Sequence, residues 1–197
     1  MIRKFFPRIR HPFMANSFYL YLSHFADYFL AIFILPFVVR NIGVEEFGKI
    51  GLSQTFGIFI ILFMEFGFSL MATRNVAIEK QNMEKIKLFI GQITTFKILL
   101  IPITILITIV IILFVPTFYQ NPHYLIIVSL GAIFQGLAPT WYFQGVERMK
   151  QIALSKTVFR IIGFIIILLF VGSPGDAWIV LASYSVSSVF ICMYLFI

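Results

Sequence analysis

Four ionisable side chains stand inside otherwise apolar stretches of this sequence: Asp27, Glu65, Lys97 and Arg160. Carboxylates in such places can hold a cation or exchange a proton, and Lys or Arg can hold an anion. Arg can grip a phosphate through two parallel N–H bonds. At the centre of a lipid-embedded helix an Asp, Lys or Arg costs roughly 2.5–3.5 kcal/mol. Such groups are retained where they pair with one another or face a water-filled path. Arg160 follows Lys156 by one helical turn, so the pair shares a face, from which Arg160 can also snorkel to lipid headgroups. The set holds two acids and two bases, which is equally the composition of a neutral structural network.

Other chemistries find little support. Gly43-Val-Glu-Glu-Phe-Gly48-Lys49 matches a phosphate-binding loop until Ile50, which replaces the Ser or Thr that would hold magnesium. No strand is predicted before it, so Gly43 is better read as a helix terminator. His11, His24 and His123 are scattered, and Asp27 and Asp176 are the only aspartates. There is therefore no D-x-x-D cluster to hold magnesium against a diphosphate, and chemistry on lipid phosphates normally needs such metal ligands or a dense carboxylate group. Cys192 is the single cysteine and lies in an apolar run. We expect no metal, no cofactor and no disulfide.

The elements that must position these residues are membrane spans. Hydrophobic residues make up 60% of the 197 and charged residues 12%, about half of what a soluble surface uses. Six runs are long enough to cross a bilayer, which takes about 20 residues: Asn16–Val39, Ile50–Thr73, Leu88–Val115, Tyr124–Gln144, Ile152–Val171 and Ala177–Ile197. Residues 1–15 form a basic segment ahead of the first. Its charges resemble a signal peptide, but the following run is too long, contains Asp27 and lacks a cleavage site.

Net charge is +7, with 15 basic residues against eight acidic. The basic residues between spans alternate, with eleven on one side (among them Arg3, Lys4, Arg8, Arg10, Arg74, Lys80, Arg148 and Lys150) and two on the other, Arg40 and Lys49. The positive-inside rule places the N-terminus in the cytoplasm. That distribution accounts for the charge with no nucleic-acid partner. Tyr19, Tyr119, Tyr124, Trp141 and Trp178 stand where interfacial anchors belong.

Three segments resemble a known family. Arg40-Asn-Ile-Gly43-Val-Glu45-Glu-Phe-Gly48 is similar to the R-x-x-G-x-E-x-F/Y-G signature of Wzx-type polysaccharide-biosynthesis flippases. Glu65-Phe-Gly67 with Ala72-Thr-Arg74-Asn-Val-Ala77 resembles their D/E-F-G and A-T-R-x-x-A segment. Pro139-Thr-Trp141-Tyr-Phe-Gln144-Gly145-Val-Glu147-Arg-Met-Lys150 resembles their P-x-W-Y-F-Q-G-x-E-x-M motif. The resemblance implies an all-α integral membrane protein in the multidrug/oligosaccharidyl-lipid/polysaccharide exporter superfamily. The six helices would form one lobe of a bilobed, MATE-like transporter, with the C-terminal lobe missing because the last span stops at Ile197 without a polar flank. It further implies a polyprenyl-diphosphate-linked oligosaccharide as substrate, moved across the bacterial inner membrane by alternating access. Its partners would be membrane lipid, a second lobe or a parallel homodimer, and other polysaccharide-assembly membrane proteins.

On that reading Arg160 and Lys97 line the substrate path, and Asp27 and Glu65 couple an ion. The motif residues Arg40, Gly43, Gly48, Arg74, Pro139, Trp141, Gln144, Gly145 and Glu147 carry no assigned role. Two other readings compete. A polymerase or ligase of the same pathway would need a sizeable outer segment, and the loops Pro116–His123 and Gly172–Asp176 are short. A small channel would need rings of carbonyls or charges repeated by symmetry, and no filter-like segment is present.

Overall fold

A computed structural model describes residues 10–196, with the side chains of the first helix described at Tyr21, Phe25 and from Tyr28 onward. Every regular element among the described residues is helical. Helix α1 runs Arg10–Ile42 and α2 Val44–Glu65, joined by Gly43 alone. Gly43 stands at φ 85°, ψ 163°, a backbone region open to glycine and little else, and this lets one residue reverse the chain. The span expected over Ile50–Thr73 is two helices. Phe66 and Gly67 both take the left-handed conformation, which ends α2 and starts α3, Phe68–Ile78.

Helix α4, Met83–Phe114, starts where the Asn82 side chain accepts the Lys85 backbone N–H. It continues through Pro102. A short α5, Pro116–Gln120, leads into α6, Pro122–Leu137. The span expected over Tyr124–Gln144 also breaks, at Ala138 and Pro139, before α7, Thr140–Gly145. Helix α8 covers Met149–Phe170, and a 3-10 turn, Pro174–Asp176, delivers the chain to α9, Ala177–Phe196.

Helix α6 is the centre of the packing, touching α2, α9 and α4, while α8 packs on α1 and α9. Buried residues at one end of the bundle include Val38, Ile42, Ile50, Ile167, Val171 and Leu181. Asn41 Nδ2 donates to the Val171 carbonyl there (3.2 Å), and the Tyr124 hydroxyl to Glu46 (2.7 Å). At the opposite end Ala72, Val76, Ile93 and Trp141 form a second core. The basic segments Arg74–Lys87 and Arg148–Lys150 meet at that end, where Lys80 pairs with Glu147 at 3.4 Å.

The outer surface is apolar: Leu70, Leu88, Leu106, Phe114 and Leu169 are all exposed. An apolar surface of this extent belongs in lipid rather than water. Five helical segments, beginning at Val44, Met83, Pro122, Met149 and Pro174, are long and apolar enough to span a bilayer. Within α1 the described apolar stretch is Tyr28–Ile42. The chain is a multi-pass membrane protein.

Candidate functional site

A cavity of about 370 Å³ lies between α1, α2, α6, α8 and α9. Its lining changes character along the bundle. Val38, Phe47, Ile50, Ile167 and Val180 make one end apolar, next to the buried residues that close that end. Glu65, Gln135, Thr140, Lys156, Arg160 and Tyr184 make the other end polar. Along α8 alone, Lys156 to Ile167 is a rise of about 16 Å, so the two ends are well separated. The polar end is the one nearer the basic segments Arg74–Lys87 and Arg148–Lys150.

Each polar group reaches the cavity for a local reason. Glu65 is the last residue of α2, held at the wall because Phe66 and Gly67 turn the chain away behind it. A carboxylate at a helix C-terminus opposes the helix dipole, so Glu65 gains nothing from its own helix. Lys156 and Arg160, one turn apart on α8, line the same cavity. On α6, Gln135 carries an amide into the wall, and its Oε1 accepts from the Tyr184 hydroxyl at 3.4 Å. Ser183, Ser187 and Ser188 line the α9 side, but their hydrogens are already committed to the carbonyls of Val180, Ser183 and Tyr184. Toward the cavity these serines can therefore offer only acceptor lone pairs.

The four ionisable residues separate. Glu65 and Arg160 both line the cavity. Lys97 is buried, 3% exposed, and is not on the cavity wall. Its ammonium donates to the Gly136 carbonyl. It lies within electrostatic reach of Glu65, although no salt bridge joins them. The Asp27 side chain lies outside the described residues. No group of three or more His, Cys, Asp or Glu suited to a metal occurs among the described residues.

The family-like segments lie elsewhere. Arg40, Gly43 and Gly48 belong to the turn between α1 and α2, with Arg40 and Gly48 exposed. Arg74 is exposed on α3. The other motif residues form a joint between α3 and α7. There the Thr73 hydroxyl donates to the Trp141 carbonyl (3.3 Å) and lies 3.5 Å from Gln144 Oε1. Trp141, 2% exposed, meets Phe89 edge-on. Pro139 is buried at the break that starts α7, and Glu147 stands at φ 60° just after it. Gly145 is needed for close approach, since a Cβ there would lie 2.7 Å from Val76 and 2.9 Å from the Thr73 carbonyl.

Reading only the charged residues misses Gln54, Gln135, Thr140 and Tyr184 on the cavity wall. Uncharged amides inside apolar runs are the available signal. Gln54 and Gln135 both qualify, because an amide in hydrocarbon needs a partner as a charge does.

Fold and cavity together define a class: a helical, multi-pass membrane protein with an ionisable cavity inside one bundle. The family model described as "Polysaccharide biosynthesis protein" matches residues 13–197, and the chain belongs to that family. It is 33% identical over 163 residues to a protein of Escherichia coli (strain K12) named "Putative O-antigen transporter". It is 29% identical over 161 residues to a protein of the same name in Shigella dysenteriae. Each alignment covers 82% of this chain but only 39% and 40% of the relative, so the chain spans about two fifths of the length of the curated relatives it matches. No solved structure matches it with significance.

Proposed function

We propose that this chain is one lobe of a flippase that moves polyprenyl-diphosphate-linked oligosaccharide units, such as O-antigen or capsule units, across the bacterial inner membrane. The observation that carries the reading is the meeting of Lys156 and Arg160 with Glu65 and Gln135 on one cavity inside an apolar bundle. A diphosphate with sugars attached cannot cross hydrocarbon unaided, because each unpaired charge is costly there. Cations answer the diphosphate, amides and hydroxyls answer the sugars, and the lipid tail stays in the bilayer. The relatives' names support a transporter over an enzyme.

With the N-terminus in the cytoplasm, as the positive-inside rule directs, the polar end of the cavity faces the side on which the lipid-linked unit is assembled. The cluster around Val38, Ile50 and Ile167 is then the outer seal. Alternating access takes two walls that rock about the cargo. The second wall is a further lobe or a parallel second copy, and other polysaccharide-assembly proteins would receive the flipped unit. Glu65 balances the cations when cargo is absent, and Asp27 with Glu65 is the pair we assign to ion coupling.

The test is a flipping assay on the assembled transporter in proteoliposomes, using a fluorescent polyprenyl-diphosphate glycan and an impermeant quencher. The native protein should expose the inner-leaflet pool. Arg160→Gln should slow that exposure about tenfold, the scale of one charge-assisted hydrogen-bond pair, and Arg160→Lys should slow it less. Equal rates with and without protein would overturn the proposal.

A further inference from the structure

Between α6 and α7 the chain leaves the helical path at Ala138 and Pro139. A proline disfavours the helical region for its predecessor, and Ala138 stands at φ −54°, ψ 129°. In an unbroken helix the Gly136 carbonyl would accept from the N–H of residue 140. Here the Thr140 N–H turns to the Ala138 carbonyl at 2.9 Å. The Gly136 carbonyl is left without its helical donor in a place sealed from water. Gly136 is buried, and Met64 packs so closely that any side chain at Gly136 would collide with it. Leaving a buried carbonyl unpaired is costly.

Lys97 answers that carbonyl from α4, its ammonium donating to Gly136 O. The same ammonium lies at the C-terminal, negative end of α6, where a cation is favoured. We infer that Lys97 is a positioning residue: it supplies the hydrogen bond that the Pro139 break removes from α6, and so holds Gln135, Ala138 and Thr140 in the cavity wall. It touches neither the cavity nor the cargo. Its importance to transport rests on the proposal that this cavity is the path.

The experiment is thiol labelling in native membranes on a Cys192→Ala background. Thr140→Cys reports on the break, and Gln54→Cys reports on the wall that Lys97 does not hold. Lys97→Met keeps the stem and removes the donor. It should change the labelling rate at Thr140→Cys by about fivefold or more, the population shift expected for one lost buried hydrogen bond, and leave Gln54→Cys unchanged. Lys97→Arg, which can still donate, should keep both native rates. An unchanged rate at Thr140→Cys in Lys97→Met, or an equal change at both reporters, overturns the inference. If Lys97→Met fails to reach the membrane, Lys97→Leu, which also lacks a donor, is scored by the same outcomes against the same two reporters. Labelling needs no cargo, so a negative result here leaves the transport reading standing, and a failed flipping assay leaves this one standing.

Discussion

At the scale of single residues, charge and smallness do different jobs in this molecule. Arg160 and Glu65 are ionisable groups brought to a cavity, while Lys97 is an ionisable group used as a cap. Gly145 is the clearest case of smallness. A Cβ at this position would lie 2.7 Å from Val76 and 2.9 Å from the Thr73 carbonyl, so even a methyl group pushes α3 and α7 apart. Overpacking of this kind costs about 1–3 kcal/mol. Gly145→Ala should therefore lower the thermal midpoint of the detergent-purified protein by several degrees, with Gly145→Val lower still. Gly48→Ala is the control, since nothing lies within 4 Å of the Cβ it would add. Matching midpoints for Gly145→Ala and Gly48→Ala would show that the α3–α7 joint is looser than its geometry indicates.

At the scale of elements, the helical class and the apolar spans were legible from composition and length, because hydrocarbon leaves a backbone few other solutions. The internal breaks were not. Phe66-Gly67 and Ala138-Pro139 each sit inside an apolar run, and hydropathy is blind to backbone direction. Pro139 did announce its break chemically, whereas Pro36 and Pro102 lie within continuing helices, so proline alone does not separate the two outcomes. The cavity was half legible. Glu65 and Arg160 stood out as charges in apolar surroundings, and the wall between them did not, because Gln135 and Tyr184 look ordinary one at a time. Lys97 shows why spacing cannot assign a role: its partner is a carbonyl freed by a turn 42 positions later in the chain, counting from Lys97 to Pro139.

The element order also makes a prediction about sides. Lys80 and Glu147 bridge at one end, and Asn41 meets Val171 at the other, so the connections alternate as the charges do. Reporter fusions after Lys80 and after Lys150 should read cytoplasmic, and fusions at Gln120 and Gly175 periplasmic. A periplasmic signal after Lys80 would remove the proposed orientation.

At the scale of the whole molecule, function depends on what a single bundle can do. The chain folds into a helical bundle with a graded cavity, and it spans about two fifths of the length of the relatives it matches. Under the proposed function a single bundle offers one wall and needs a second to alternate against. The central claim, that the assembled protein flips lipid-linked oligosaccharide, is tested most directly in the host cell. The gene is deleted, lipid-linked units are extracted, and their leaflet is read by an impermeant oxidant of sugars added to intact spheroplasts. The account predicts that full-length units accumulate, shielded in the cytoplasmic leaflet, while surface polysaccharide is lost. Restoring the native gene should return both to normal, and Arg160→Gln at equal membrane level should not. Units that reach the outer leaflet in the deletion strain, or a full return to normal with Arg160→Gln, would contradict it.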